Sequence, residues 1–247
     1  MSTSAAIHLS VVIPAYNETL RLPRTLDAVT AYLARQPYAA EILVVDDGST
    51  DATAQVVREF PAGAVPLRLL SQPDGRNHGK GAAVRLGLSA AVGAHRLFMD
   101  ADNSTTLDHV ERFWPHFEQG FDVVIGSRDI GGADVVIPQV WYKELGGKLG
   151  NLLIRTLAVP GIADTQAGFK AFTARCIEDI SPLLTIDRWG FDVELLVAAR
   201  CRGFQVKEVP IVWRNDTASS VPASAYLQVL GEVWRVRRQR AKGMYAR

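Results

Sequence analysis

The stretch Leu97-Phe98-Met99-Asp100-Ala101-Asp102 has the pattern of a short apolar strand that ends in two carboxylates. Ligands of open α/β sheets bind at the carboxyl ends of the strands, so Asp100 and Asp102 are expected at the mouth of a crevice. Two carboxylates and several waters suit Mg²⁺ or Mn²⁺, hard cations that commonly bridge to substrate phosphates. The competing interpretation is an ordinary turn after a strand, because aspartate is common in turns.

Three earlier apolar runs alternate with helical patterns and define the fold around this strand. They lie at Leu9–Pro14, Ile42–Val45 and Leu67–Leu70. Runs of this kind are typical of strands buried on both faces of a parallel sheet, with helices as the crossovers. The sequence therefore predicts an α/β fold in which helices flank a mostly parallel central sheet.

Polar side chains follow three of the predicted strands. The carboxyl ends of parallel strands meet at one edge of a sheet, so these side chains are expected together. One acidic strand end is ordinary loop chemistry, whereas three at one edge predict a site for a nucleotide with its metal. The residues are Asn17 and Glu18, Asp46 and Asp47, and Asp100 and Asp102.

The later part of the chain predicts further elements from weaker patterns. They are a fifth strand over 121–128, a mobile loop over 129–142, a helix over 143–157, an extended segment over 164–172, a helix over 191–201 and a final strand over 204–212. Pro210 indicates that the final strand lies at a sheet edge or ends early, because proline has no N–H to donate to a neighbouring strand.

The composition is that of an ordinary globular protein and excludes several classes of function. The chain has 247 residues, of which 48% are hydrophobic and 21% charged, with a net charge of +1. This charge balance predicts no nucleic-acid partner. The first ten residues lack the pattern of a signal peptide, and no apolar stretch is long enough to span a bilayer. A cytoplasmic location is therefore expected, and the oligomeric state is left open.

A last helix is predicted over about 223–240, beyond a domain that extends over residues 1–215. The region 216–247 has two interpretations. It can lie as an amphipathic helix on the anionic inner face of a membrane, as a peripheral contact, or it can pack on the domain and leave a solvated basic tail. The apolar stripe of this helix consists of Tyr226, Leu227, Leu230, Val233 and Trp234.

Several motifs carry a resemblance to a known family. The strand-end motifs are Val11–Glu18, Val44–Asp51 and Asp100–Asp102, and four later segments are Asn77–Gly81, Gly126–Arg128, Asp164–Lys170 and Arg188–Leu195. The strand-end motifs resemble those of the inverting family 2 glycosyltransferases, which have the GT-A (Rossmann-like) fold in a single domain. The later segments resemble those of the dolichyl-phosphate (polyprenyl-phosphate) β-glucosyltransferases most, and those of the polyprenyl-phosphate mannosyltransferases second.

The resemblance implies a nucleotide-sugar donor, UDP-glucose, with Mg²⁺ or Mn²⁺ held on its diphosphate by Asp100 and Asp102. It also implies that Asp46 recognises the uracil base, because a carboxylate accepts a hydrogen bond from the N3–H. Lys80 is implied to contact the nucleotide or its diphosphate. The implied substrate-binding residues are Pro14, Tyr16, Asn17, Glu18, Asp46, Asp47, Lys80, Ala101, Lys143, Asp164, Gln166 and Trp189.

The implied acceptor is a polyprenyl phosphate, which is already a nucleophile and would attack the anomeric carbon in one in-line displacement with inversion. Arg128 offers a planar, bidentate donor for that phosphate, and an ion pair with Asp129 or Asp164 is the competing role for this arginine. A glycan or other hydroxyl acceptor would require a carboxylate base, for which Asp192 and Asp164 are the candidates. Two further hypotheses are GDP-mannose as the donor and a nucleotide-sugar-binding regulatory module without turnover.

Overall fold

The computed structural model describes residues 6–61, 63–135, 158–214 and 223–246. The strands are β1 (Leu9–Ala15), β2 (Ala40–Asp46), β3 (Leu67–Ser71), β4 (His95–Met99), β5 (Val123–Ser127), β6 (Asp134–Val135), β7 (Phe169–Thr173), β8 (Val206–Pro210) and β9 (Val212–Trp213). The helices are α1 (Leu22–Leu33), α2 (Thr53–Glu59), α3 (Lys80–Ala90), α4 (Trp114–Glu118), α5 (Ala174–Ile180), α6 (Phe191–Cys201) and α7 (Ala223–Ala241), with 3-10 turns at Leu107–Arg112 and Ser181–Leu183.

Within the described residues, seven strands form one sheet in the order β3-β2-β1-β4-β7-β5-β8. Every neighbouring pair is parallel except those that involve β7, which runs antiparallel between β4 and β5. The predicted mostly parallel sheet is therefore confirmed, and β8, the strand that ends in Pro210, lies at an edge as predicted. Since β7 is reversed, it begins at the end of the sheet where β4 stops, and Phe169 pairs with Met99.

Two of the three predicted apolar runs, β1 and β2, are strands buried on both faces, because helices cover both sides of the sheet there. The third run forms β3, the terminal strand of the sheet, and is only half-buried or exposed, so its predicted burial is wrong. All seven residues of β1 and all seven of β2 are buried. Side chains of β1 alternate between two cores: Val12 packs towards α3 and α6, whereas Val11 and Ile13 pack towards α1. Burial on both faces explains why these runs are continuously apolar rather than alternating.

Two predicted segments differ in detail from the structure. Part of the predicted loop over 129–142 is the short strand β6, which pairs in parallel with β9; residues 136–142 and the predicted helix over 143–157 lie outside the described residues. The sequence pattern over 105–117 also predicts one helix, and the structure has instead a 3-10 turn followed by the short α4. Pro115 stands in the first turn of α4, where a missing N–H costs little.

The C-terminal helix α7 contributes to the same core as the sheet. Val229, Val233 and Val236 are buried, and Tyr245 beyond the helix end is only 1% exposed. Leu230 and Trp234, from the predicted apolar stripe, instead face outwards, with Trp234 64% exposed. The predicted stripe is therefore divided between an inner and an outer face. Nowhere in the described parts of the chain is a helix long and apolar enough to cross a membrane.

A cluster of aromatic and histidine rings closes the opposite edge of the sheet, where β1 and β4 begin. The ring of His95 lies 4.9 Å from that of His8, 5.3 Å from Trp114 and 4.5 Å from Phe117, centroid to centroid. Burial, together with the neighbouring His8, lowers the pKa of His95 from 6.5 to about 4. His95 is therefore neutral in the folded protein at neutral pH.

We expect His95 to make the fold less stable as the pH falls. The unfolded chain takes up a proton on this ring near pH 6.5 and the folded chain only near pH 4, so the stability contributed by neutral His95 is lost between these values. With allowance for the partial exposure of the ring, the loss is about 1 kcal/mol from pH 7 to pH 5. Thermal unfolding of wild type and His95→Phe across this range measures it. If the melting temperatures of the two proteins fell by the same amount from pH 7 to pH 5, the expectation would be contradicted.

Candidate active site

Apart from Lys143, the predicted site residues lie near one end of the strands, where β1, β2, β4 and β5 end and β7 begins. The parallel register aligns Ala15 with Asp46, so the loops after β1 and β2 lie side by side. The antiparallel register of β4 and β7 brings the turn over 164–168 beside Asp100. The sheet topology therefore gathers residues that are up to about 180 positions apart in the sequence.

Lys80 and Asp100 form an ion pair at the centre of this edge. The Nζ atom of Lys80 lies 2.5 Å from Oδ1 of Asp100. Burial alone would lower the pKa of Lys80, but the charges of Asp100 and Asp192 outweigh it and raise the pKa. Lys80 is therefore a charged group that faces the carboxylate predicted to hold a metal.

Gly168 leaves the space that the Asp100 carboxylate occupies. A Cβ atom at residue 168 would overlap Oδ2 of Asp100 and lie 2.5 Å from its Cγ. The Gly79 that precedes Lys80 has a φ of +113°, and a Cβ there would lie 2.6 Å from the carbonyl oxygen of Asp187. Both glycines allow a close approach that a side chain would obstruct: Gly168 to the Asp100 carboxylate, and Gly79 to the backbone of Asp187.

Asp102 and Glu18 add two further carboxylates near Asp100. Burial raises the pKa of Asp102, and the adjacent charge of Asp100 raises it further, while Oδ1 accepts a hydrogen bond of 2.9 Å from the Ser104 N–H. Burial also raises the pKa of Glu18, and the charges of Asp102 and Asp100 add to the rise. The bidentate ion pair of Glu18 with Arg21 opposes it. Crowded carboxylates of this kind favour a cation between them.

The donor set fits a hard divalent cation that keeps waters and substrate oxygens as its other ligands. Across the described ranges, no group of three or more His, Cys, Asp or Glu side chains is arranged to hold a metal ion. Mg²⁺ is commonly held by one or two carboxylates together with substrate phosphates, so Asp100 and Asp102 suffice as the protein's share. The predicted metal ligands therefore stay candidates for such a site.

The loops after β1 and β2 are joined by hydrogen bonds rather than left open. Asn17, with a φ of +56°, accepts a hydrogen bond of 2.9 Å from the Thr50 N–H. Asp46 accepts one of 3.0 Å from the Ser49 N–H. The sequence predicts Asn17 and Asp46 to line the nucleotide, and the structure places both where β1 and β2 end, with Asn17 exposed and Asp46 buried.

Asp47 has a different role from the predicted substrate contact. It is 2% exposed, and its carboxylate accepts hydrogen bonds from the side chains of Gln72 and Asn77 and from the Gly79 N–H at 2.7–2.9 Å. These donors occupy both carboxylate oxygens. Asp47 therefore holds the loop that leads to Lys80 through these hydrogen bonds.

Arg128 forms the internal ion pair with Asp164 that the sequence allows as its competing role. Its Nε and Nη2 atoms donate to the two carboxylate oxygens of Asp164 at 2.7 and 2.9 Å, and its backbone N–H donates to the same carboxylate. Burial alone would raise the pKa of Asp164, but the guanidinium outweighs it and lowers the pKa. Glu208 completes the arrangement by accepting the Asp164 N–H at 2.9 Å. The competing interpretation, an internal ion pair with Asp164, is confirmed.

Asp192 is paired as well, with a lysine that sequence reasoning did not single out as a site residue. Lys170 is 0% exposed, and its Nζ atom lies 2.6 Å from Oδ1 of Asp192 and 2.5 Å from the carbonyl oxygen of Ala167. Burial raises the pKa of Asp192 and Lys170 opposes the rise. A lysine inside the apolar run Phe169–Phe172 is the signal that could have revealed this pair, because unpaired charges are almost never buried.

We expect Lys170→Met to lower the free energy of unfolding by about 3–5 kcal/mol, because the buried Asp192 carboxylate would lose the cation that is hydrogen-bonded to it. Combining it with Asp192→Leu should recover most of the loss, since replacing both members of a buried ion pair is often neutral. Urea unfolding of the single and double variants measures both effects. A loss below about 1 kcal/mol for the single variant would contradict the role of this pair.

The other predicted residues lie around this centre. Pro14 and Ala101 are buried, and the Ala101 carbonyl accepts a hydrogen bond of 2.6 Å from the Thr25 hydroxyl. Tyr16 is 46% exposed at the rim, and Gln166 is half-buried in the turn before β7. Trp189, which the resemblance implies is a substrate-binding residue, packs partly against the core. Lys143 lies outside the described residues.

Comparison with known proteins agrees with the motifs. Residues 10–177 match the Glycosyl transferase family 2 domain. The chain is 35% identical to a dolichyl-phosphate β-glucosyltransferase of Dictyostelium discoideum, over 94% of this chain and 74% of the relative. It is 34% identical to the enzyme of the same name from Mus musculus, over 90% of this chain and 72% of the relative.

Solved structures agree on the fold. Glucosyl-3-phosphoglycerate synthase from Mycobacterium tuberculosis, solved with Mn²⁺, uridine-diphosphate-glucose and phosphoglyceric acid, superposes with a TM-score of 0.65 over 94% of this chain and 80% of that chain, at 19% identity. The predicted GT-A fold is confirmed by this likeness. Together with the strand-end motifs and their place at one sheet edge, the match over residues 10–177 shows that the chain belongs to glycosyl transferase family 2.

Proposed function

We propose that this enzyme transfers glucose from UDP-glucose to a polyprenyl phosphate of the dolichyl type, with inversion and with a divalent metal. The observation that carries the proposal is the similarity, over most of the chain, to relatives named dolichyl-phosphate β-glucosyltransferases. The site agrees with that chemistry, because carboxylates and a lysine converge where a sugar diphosphate and its metal would bind.

Asp100 and Asp102 would hold Mg²⁺ or Mn²⁺, which when bound supplies positive charge to the departing diphosphate. Lys80 adds a charged donor beside Asp100 and stabilises the same developing charge. Asp46 and the loop held by Asn17 line the side where the nucleoside would lie. The bond between the anomeric carbon and the UDP oxygen breaks as an acceptor oxygen bonds the opposite face, and UDP leaves with the bonding electrons.

Asp164 and Asp192 are each bound to a cationic side chain, and this favours a phosphate acceptor over a hydroxyl. A hydroxyl acceptor needs a carboxylate base within reach of its proton. Asp164 is held by Arg128, which lowers its pKa, and Asp192 is held by the buried Lys170. Burial raises the pKa of Asp192, but both carboxylates are already bound by a cationic side chain, whereas a phosphate monoester is an anion near neutral pH and needs no base.

Release of UDP from UDP-glucose with Mn²⁺ or Mg²⁺, with and without a short polyprenyl phosphate, tests the proposal. We expect release that depends on the lipid phosphate and on the metal, with a β-linked glucosyl lipid as the product. Release that is indifferent to the lipid would move the acceptor to a hydroxyl. Release with GDP-mannose but not with UDP-glucose would change the donor, and UDP-glucose binding without release would leave a binding module.

A lipid acceptor gives the outer face of α7 a role in reaching a membrane surface. Trp234 and Leu230 are exposed on this face, and Arg237 and Arg238 lie exposed one turn further on. No acidic residue follows Glu232 to the end of the chain. An exposed tryptophan beside clustered arginines suits the interface of an anionic bilayer, and so we propose peripheral binding through this face.

We expect Arg237→Gln with Arg238→Gln to weaken binding to vesicles that contain phosphatidylglycerol by about 30-fold, because each basic residue near an anionic surface contributes about 1 kcal/mol. Vesicle flotation measures the effect. Arg24→Gln with Arg58→Gln, which also removes two exposed arginines, is the matched control and should bind like wild type. Equal flotation of both double variants would contradict a specific role for α7. Val233 must be kept, because it is buried in the core.

A further inference from the structure

The short segment Thr185–Gly190, called here the wall segment, separates the Lys80 loop from the C-terminal helix. On its inner side it touches the loop closely. The Ala82 N–H donates to the Asp187 carbonyl at 3.0 Å, and Arg85 pairs with the Asp187 carboxylate at 2.6 Å. A Cβ on Gly81 would lie 2.6 Å from the carbonyl oxygen of Ile186. A shift of the wall segment must therefore move the start of α3, which carries Lys80.

On its outer side the wall segment is held by the C-terminal helix and the residues after it. The Gly190 N–H donates to Oε2 of Glu232 at 2.6 Å. The Thr185 hydroxyl accepts a hydrogen bond of 3.0 Å from Gln239. The buried carboxylate of Glu194 accepts the backbone N–H groups of Thr185 and Ile186, and the Tyr245 hydroxyl donates to it at 2.8 Å.

Glu232 also caps a helix that reaches the site. Gly190 immediately precedes α6 and has no side chain to accept the unsatisfied N–H groups of the first turn. A carboxylate at a helix N-terminus is favoured by the helix dipole, and here a different helix supplies it. The first turn of α6 contains Phe191, whose ring lies 5.9 Å from the Nζ atom of Lys80, and Asp192, which is bound by Lys170.

We infer that Glu232 is a positioning residue for glycosyl transfer, and that the C-terminal helix sets the geometry of Lys80 and Asp100 through the wall segment without touching substrate. The chain of contacts runs from Glu232 to Gly190, from the wall segment to the Lys80 loop, and from Lys80 to Asp100. Only the measurement of kcat and KM depends on the proposed function; hydrogen exchange and UDP affinity test the inference without it.

Glu232→Ala, Glu232→Gln and the exposed control Glu118→Ala test this inference in the full-length chain. Hydrogen exchange of the amides over 185–190 is measured beside that over 9–15, together with the dissociation constant for UDP with Mn²⁺ and the kcat and KM for UDP-glucose. Glutamine keeps an oxygen acceptor for the Gly190 N–H. We expect Glu232→Ala to speed exchange over 185–190 at least about 10-fold with no change over 9–15, and to lower kcat/KM about 10-fold. For Glu232→Gln, exchange over 185–190 and kcat/KM should stay within about threefold of wild type. For Glu118→Ala, both should equal those of wild type.

Two outcomes would overturn the inference. One is exchange over 185–190 that equals wild type in Glu232→Ala. The other is faster exchange throughout the protein with a lower melting temperature, while UDP affinity and kcat/KM per folded molecule stay unchanged, as a merely structural role would give. If wild type fails to glucosylate polyprenyl phosphate, the proposed function fails alone, because local exchange and UDP affinity still decide the role of Glu232.

Discussion

Asp102→Asn is expected to lower kcat/KM for UDP-glucose by about 10³-fold and to leave the fold at least as stable as wild type. The amide keeps an oxygen that can accept the Ser104 N–H, so the turn after β4 is preserved. It removes one of the two charges proposed to hold the metal, and a hard cation binds a neutral amide much more weakly. A 10³-fold loss corresponds to about 4 kcal/mol of transition-state stabilisation, the scale of a metal or oxyanion contact.

The stability part of this expectation follows from the pKa of Asp102. Burial and the charge of Asp100 raise that pKa, so the folded protein disfavours the ionised carboxylate at neutral pH relative to the unfolded chain. A neutral side chain relieves this cost. Kinetics, calorimetric Mn²⁺ binding and thermal unfolding measure the three effects, with Asp108→Asn as the control at a carboxylate that is 64% exposed. Activity within threefold of wild type and unchanged metal dependence would refute the assignment.

Gly168→Ala is expected to lower kcat/KM by at least about 10²-fold, although residue 168 has no side chain to contact a substrate. The added methyl group would overlap Oδ2 of Asp100 and lie 2.5 Å from its Cγ, so the carboxylate has to rotate or withdraw. Misplacing a reacting group by about 1 Å can cost 10²-fold in rate. The ion pair with Lys80 would be disturbed at the same time.

The matched control is Gly63→Ala, whose added Cβ would meet only Thr30 Cγ2 at 3.7 Å. We expect this control to have the activity and the Mn²⁺ affinity of wild type. The Gly168→Ala protein should stay folded by circular dichroism but bind Mn²⁺ more weakly. Normal Mn²⁺ affinity combined with normal kcat/KM would show that Asp100 does not depend on the space at residue 168.

Much of the architecture could be predicted because buried strands leave a local signature. The runs Leu9–Pro14 and Ile42–Val45 are apolar at every position but Ser10 since helices cover both faces of the sheet, and a parallel arrangement then follows from the alternating helices. The family motifs lie mostly in loops at the strand ends, where function restricts residue type. The carboxylates Asp100 and Asp102 could therefore be selected from the sequence without any tertiary information.

The pairing of charges could not be predicted in the same way, because ion-pair partners come from distant parts of the chain. Arg128 and Asp164 are 36 positions apart, and Lys170 and Asp192 are 22 apart. The sequence offers several partners for each charge, and only the reversed direction of β7 brings these together. For this reason the sequence leaves Arg128 either as a phosphate donor or in an ion pair with Asp129 or Asp164, and offers Asp192 as a base without revealing that Lys170 binds it.

The sequence by itself determined the α/β class, the order of the strands along the chain and the carboxylates at their ends. Burial on two faces and the polar residues at strand ends both leave patterns in short, continuous stretches of sequence. Only the tertiary structure decided which charges are neutralised inside the protein and which face the crevice. It also decided that Val233 belongs to the core and Trp234 to the surface. The physical reason is that burial and pairing are properties of the packed chain: desolvation makes an unpaired charge costly, and the fold alone determines which charges find a partner.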